Sequence, residues 1–141
     1  MVYQHHVRVR YGETDQMGVV HHGAYVVYLE EARTEWLRAL GHPYAALEKT
    51  GIGLPVRQLV IRYRAAAYYE DQLVITIAVQ RLRSASITFA YVLRREGEDT
   101  VLAQAEVELA CVSLDQRPLA ARALPAEISR ALKEAQAEGD P

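Results

Sequence analysis

Near the start of the chain, Val7, Val9 and Tyr11 alternate with Arg8 and Arg10, the two-residue period of a half-buried strand. From Ala24 to Leu40 the spacing changes. Tyr25, Leu29, Ala32, Trp36 and Leu40 recur at steps of three and four, which predicts a helix with one apolar stripe. Gly41 and Pro43 end it, and Pro43 suits the first turn of a short second helix, Tyr44 to Lys49, that Gly51 closes. Alternation then returns and runs to about residue 114. Its sets are Leu59, Ile61 and Tyr63; Leu73, Ile75, Ile77 and Val79; Ile87, Phe89, Tyr91 and Leu93; and, expected to be the longest, Val101, Ala103, Ala105, Val107, Leu109 and Cys111. The breaks at Glu70-Asp71, Arg83-Ser84 and Glu96 to Asp99 are plausible turns. Ala126 to Glu138 reads as a short charged helix on the outside of the molecule, with an irregular tail at residues 139–141.

Strand, long helix, four consecutive strands and a small terminal helix make one α+β domain over residues 1–141. Its antiparallel sheet is covered on one face by a single dominant helix. The other face carries Val60, Val74, Ala90, Val92, Ala110 and Val112. A lone copy would leave that apolar surface wet, so a homo-oligomer is expected, with a two-fold dimer as its smallest unit and a tetramer as the next.

Composition narrows the function classes. The net charge of −2 gives no reason to expect a nucleic-acid partner. No run approaches the ~20 apolar residues that cross a bilayer, and MVYQHHVRVR has no signal-peptide core. Cys111 is the only cysteine and cannot close an internal disulfide, which suits a reducing cytoplasm. In a strand set it reads as a buried small hydrophobe.

The stretch Tyr11 to Tyr25, YGETDQMGVVHHGAY, concentrates the chemistry. Asp15 stands a few residues ahead of a glycine-marked turn, and the long helix follows directly. A helix start offers unpaired N–H groups and a partial positive charge. An acid held beside it can attack a carbonyl polarised by those groups, or activate water toward it. The plainer use of Asp near Gly is to satisfy turn N–H groups. Glu13 reads as solvated or ion-paired with Arg8 or Arg10, although two carboxylates on one side of a strand are also a paired-acid arrangement. Asp15, His21 and His22 are ligand types, but adjacent histidines rarely reach one ion, so no metal site is expected.

The same residues resemble the signature of the hotdog-fold acyl-CoA thioesterases of the 4-hydroxybenzoyl-CoA thioesterase type. The family motif has a tyrosine, two acids one residue apart, a glycine three later, an apolar pair and a second tyrosine, matched by Tyr11 through Tyr25. Leu29 to Leu37, LEEARTEWL, looks like the family helix, and Arg81 to Tyr91, RLRSASITFAY, like the strand and turn at its substrate channel. The similarity covers roughly residues 3–130. Two departures stand out: Ala24 where the family often has asparagine, and Ala66 where it often has proline.

The resemblance implies a five-stranded antiparallel sheet wrapped around one long central helix, an acyl-CoA substrate and no cofactor. It implies that Asp15 acts on the thioester carbon while coenzyme A leaves as thiolate. The backbone N–H of His22 is implied to face the thioester oxygen, with its imidazole free to orient Asp15, shuttle a proton or cap the helix. Gly18, Val19, Gly23 and Tyr25 are implied to border the substrate. Among Arg57, Arg62, Arg64, Arg81 and Arg83, the turn residues Arg83 and Ser84 are the expected phosphate contacts, since guanidinium forks suit phosphate. Two other readings remain: a hotdog dehydratase of 3-hydroxyacyl thioesters, and a non-catalytic acyl-thioester binding module.

Overall fold

The computed structural model describes residues 3–139. Strand β1 (Tyr3–Arg8) leads through a 3-10 turn (Tyr11–Glu13) and a loop into helix α1 (Ala24–Ala39) and helix α2 (Tyr44–Lys49). After β2 (Ile52–Gly53) come β3 (Val56–Tyr63), β4 (Gln72–Arg83), β5 (Ser86–Arg95) and β6 (Val101–Ala110). The chain ends with β7 (Val112–Ser113), β8 (Ala120–Ala121) and α3 (Ala126–Gly139). Five strands form one antiparallel sheet in the order β1-β4-β5-β6-β3, and β2-β7-β8 form a small second sheet. Among the described residues, no helix is long and apolar enough to cross a membrane.

Most residues of the predicted stripes on α1, β4, β5 and β6 are core, whereas on the edge strand β3 Leu59 and Tyr63 are exposed and Ile61 is half-buried, because no described element covers that end of the sheet. On α1, Tyr25, Leu29, Ala32 and Trp36 are buried, joined by Tyr28 and Leu37. They face the inward residues of the sheet: Leu73, Ile75, Ile77 and Val79 on β4, and Ile87, Phe89, Tyr91 and Leu93 on β5. Trp36 anchors this layer, stacked on Tyr3 at 6.3 Å and tilted against Phe89 at 5.9 Å. Gly41 ends the helix with φ +91, a left-handed conformation that glycine adopts without steric cost.

Three expectations are corrected. The terminal helix does not sit loosely outside: Ile128, Leu132 and Ala135 are buried and α3 packs on β4, so two helices share the cover. Their three- and four-residue spacing makes a narrow stripe that the charged residues between them disguise. Val112 is buried in the small sheet and is not on the outer face of the large one, where Val60 is exposed and Val74, Ala90, Val92 and Ala110 are half-buried. The longest strand is β4, with 12 residues to the 10 of β6. Of the expected tail, residues 140–141 lie outside the described residues.

Candidate active site

Between β1 and α1 the backbone is held by side chains as much as by its own ladder. Glu13 is the knot. Its Oε1 accepts the Arg10 N–H and the Tyr28 hydroxyl, each at 2.8 Å, and its Oε2 accepts the Arg10 guanidinium at 3.0 and 3.2 Å. Its carbonyl takes the His21 N–H at 2.8 Å. Burial alone would raise the Glu13 carboxyl, but the Arg10 N–H, the Tyr28 hydroxyl and the Arg10 guanidinium outweigh it and hold it below its ordinary value. Burial, then the bond to Glu13, pushes the Tyr28 phenol up. The Arg10 pairing matches expectation. A carboxylate pair with Asp15 does not form, because the 3-10 turn breaks the strand period and sends Glu13 toward α1.

Asp15 sits in a small hairpin closed by the Thr14–Val20 bridge. Its N–H donates to the Val19 carbonyl, and its own carbonyl takes the Gly18 N–H, both at 2.9 Å. Gly18 turns the chain at φ +83, where a side chain would be strained. Asp15 Oδ1 accepts the N–H of Met17 at 2.9 Å and of Val19 at 3.4 Å. The turn role is therefore real, but it uses one oxygen. Among the described residues nothing bonds the other, Oδ2.

Asp15, Val19, Val20, His22 and Tyr25 line one cleft of 370 Å³, with Met17 at its mouth. Its far wall is Tyr63, Arg64, Ala65 and Ala66. At the helix start, Gly23 is the N-cap and offers no side chain. The cap comes from His21, whose Nδ1 accepts the Gly23 N–H at 3.0 Å while its ring rests on the His22 ring at 4.1 Å. A Cβ on Gly23 would stand 3.2 Å from that Nδ1, which favours glycine there. Among the described residues, no acceptor takes the His22 N–H. The His22 carbonyl is pinned by the Tyr63 hydroxyl at 2.9 Å. Tyr25 is buried, packs edge-on against Tyr63 at 5.1 Å, and is held by a hydrogen bond with the Ala67 backbone.

Arg95 braces the far wall. Its Nη2 donates to the Ala66 carbonyl at 3.1 Å, and its Nε to Asp71 Oδ2 at 2.9 Å. That same oxygen takes the Tyr68 N–H at 2.8 Å. The wall is stitched to the Asp15 loop by the Val20 N–H on the Ala67 carbonyl at 2.9 Å and by the Val19–Tyr68 bridge.

The fold thus brings together Asp15, Gly18, Val19, His22, Gly23 and Tyr25. It does not bring Arg83 and Ser84. They occupy the β4–β5 turn, where the Ser84 carbonyl takes the Leu124 N–H, and β4 carries the chain roughly 35 Å from its Asp71 end. The guanidinium at the cleft is Arg64, bonded to Gln104 Oε1 at 3.1 Å. Sequence reasoning missed Tyr63, Ala65, Ala66, Arg95 and the cap by His21. Tyr63 left a trace as a large aromatic at the open end of an alternating set, and Ala66 as a departure from the family pattern.

A carboxylate with a free oxygen and the open His22 N–H beside the start of α1, on one cleft, can act together on a carbonyl carbon. A model of the Thioesterase-like superfamily matches residues 9–136. The chain is 37% identical over 128 residues to the acyl-CoA thioester hydrolase YbgC of Escherichia coli, covering 91% of this chain and 93% of that protein. It is similar to hypothetical protein TT1821 of Thermus thermophilus, with TM-score 0.85, 36% identity and coverage of 94% and 98%. It is also similar to the DHNA-CoA thioesterase of Staphylococcus aureus, with TM-score 0.91, 27% identity and coverage of 99% and 96%.

Proposed function

The chain belongs to the Thioesterase-like superfamily and is a thioester hydrolase of the hotdog acyl-CoA type, and from that premise we propose that Asp15 is its catalytic carboxylate. The observation that carries the assignment is the split use of its two oxygens: Oδ1 holds the loop, while Oδ2 is unbonded among the described residues in the cleft that α1 opens onto.

In this reading an acyl-CoA lays its thioester between Asp15 and the helix start. The His22 N–H polarises the thioester oxygen, helped by the positive end of α1. Tyr63 keeps the His22–Gly23 peptide still through its hydroxyl. Asp15 acts on the carbonyl carbon, as nucleophile or through an activated water; coenzyme A departs as its thiolate, and the acyl group leaves as a carboxylate. Gly18, Val19, Gly23 and Tyr25 shape the acyl entrance. Arg64 is the phosphate-facing cation of this cleft, while Arg83 and Ser84 reach a ligand only from a neighbouring copy. The exposed residues Val56, Leu59 and Val60 on the free edge strand β3 support a homo-oligomer, a dimer or a tetramer built from two.

The dehydratase reading asks for a histidine that shares proton transfer with the carboxylate. His21 is engaged as the helix cap, and among the described residues no histidine bonds Asp15. Incubation with acyl-CoA and a thiol-reactive dye tests the assignment. Hydrolysis releases free thiol in the unmodified chain, and Asp15→Asn abolishes the release. Full thiol release by Asp15→Asn overturns the catalytic role of this residue.

A further inference from the structure

The two peptide groups that flank His22 are held at three of their four polar ends. The carbonyl of the first, between His21 and His22, accepts the Ala24 N–H at 2.9 Å. The N–H of that same peptide, the His22 N–H, has no acceptor among the described residues. The second peptide, between His22 and Gly23, is gripped at both ends. The Tyr63 hydroxyl donates to its carbonyl at 2.9 Å, and its N–H donates to His21 Nδ1 at 3.0 Å. His21 is itself fixed, its N–H on the Glu13 carbonyl at 2.8 Å and its ring against the His22 ring at 4.1 Å. Gly23 has φ −73, a backbone that any residue adopts, so its conformation does not call for glycine. The His21 ring does: a Cβ on Gly23 would stand 3.2 Å from Nδ1 and 3.3 Å from Cε1.

A ring nitrogen that accepts an N–H carries no proton of its own, so this bond assigns His21 the tautomer with its proton on Nε2. Taking a proton at Nδ1 would release Gly23, which makes the ring a support and not a shuttle at that atom. Donors that stabilise charge in a transition state are effective when they are aimed before the charge develops. We propose that His21 is a positioning residue of the hydrolysis: with Tyr63 it clamps the His22–Gly23 peptide and so aims the His22 N–H at the thioester oxygen. The proposal rests on the reading of the Asp15 cleft as the catalytic site. His21 acts through the amide and touches no reacting atom. Both histidine rings are exposed, which keeps the effect of a single bond modest.

Thiol release from acyl-CoA by the full chain, with kcat and KM resolved, tests it. His21→Phe keeps a ring against His22 and removes the acceptor. Its kcat is expected to fall about two- to tenfold at an unchanged KM, the pattern of an interaction made in the transition state. His21→Asn, whose side-chain oxygen reaches the N–H two residues on, is expected to recover most of that loss. His21→Phe combined with Tyr63→Phe is expected to lose less than the product of the two single losses, because one open jaw already frees the peptide. If His21→Phe does not fold, nitrogen NMR of the histidine-labelled unmodified chain under mildly alkaline conditions replaces it, with His21 Nδ1 expected bare and Nε2 protonated. A proton on Nδ1 overturns the proposal. So does an unchanged kcat in His21→Phe, an equal loss in His21→Phe and His21→Asn, or simple multiplication of the two single losses. Failure of the underlying reading looks different: Asp15→Asn then releases thiol at the full rate, whatever the His21 variants do.

Discussion

Two carboxylates two residues apart occupy opposite environments. At Glu13 both oxygens are taken, by Arg10 and by a buried phenol, and even its backbone carbonyl ties the loop to His21, two residues ahead of the helix N-cap. At Asp15 one oxygen closes the turn, the other is unbonded among the described residues, and the residue lines the cleft. The contrast separates an acid that builds a site from the acid proposed to work in it. A carboxylate held by several donors is stabilised as an anion and made a poor base or nucleophile, whereas one with a free oxygen keeps its lone pairs available.

Exchanging the working acid sharpens the contrast most. Asp15→Asn keeps a turn acceptor for Met17 and Val19, so the melting temperature stays close to that of the unmodified chain. Steady-state kcat falls by about 10²–10⁴, the usual range for a lost acid–base group. Glu13→Ala gives the reverse pattern. It strands the Tyr28 hydroxyl and frees the loop, costs about 1–3 kcal/mol, and lowers the melting temperature by roughly 3–10 °C.

Glu13 also dictates a pH dependence. Its folded value lies below its unfolded one, so its contribution is complete above the ordinary carboxylate range. Stability is then lost as pH falls through the depressed folded value. Melting curves from neutral to acid pH are expected to show this loss in the unmodified chain and a shallower one in Glu13→Gln.

Smaller changes probe the cleft's supports. Tyr63→Phe removes the hydroxyl that pins the His22 carbonyl, and kcat/KM drops by about two- to tenfold, for one hydrogen bond of about 0.5–1.5 kcal/mol. His22→Ala keeps the backbone N–H and changes kcat by no more than about threefold. A collapse of activity in His22→Ala would assign the imidazole, and not the amide, to the chemistry.

The local part of this protein was legible in its residues. The period of Tyr25, Leu29, Ala32 and Trp36, the stop at Gly41, and the turn breaks at Glu70-Asp71 and Glu96 to Asp99 all correspond to observed element limits. The loop that holds Asp15 was legible too, because Gly18 takes a left-handed conformation that few other residues adopt and Gly23 leaves room for the His21 ring.

Tertiary structure alone decided which groups meet. Tyr63 reaches His22 across 41 positions, Arg95 reaches Ala66 across 29, and α3 covers β4 from the far end of the chain. It also decided which acid is spent and which is free, since Tyr28 is presented to Glu13 only when α1 has packed on the sheet. Periodicity and turn propensity act over a few residues along the chain. A cleft wall and a hydrogen-bond partner are set by the packing of layers, which one-dimensional spacing does not encode.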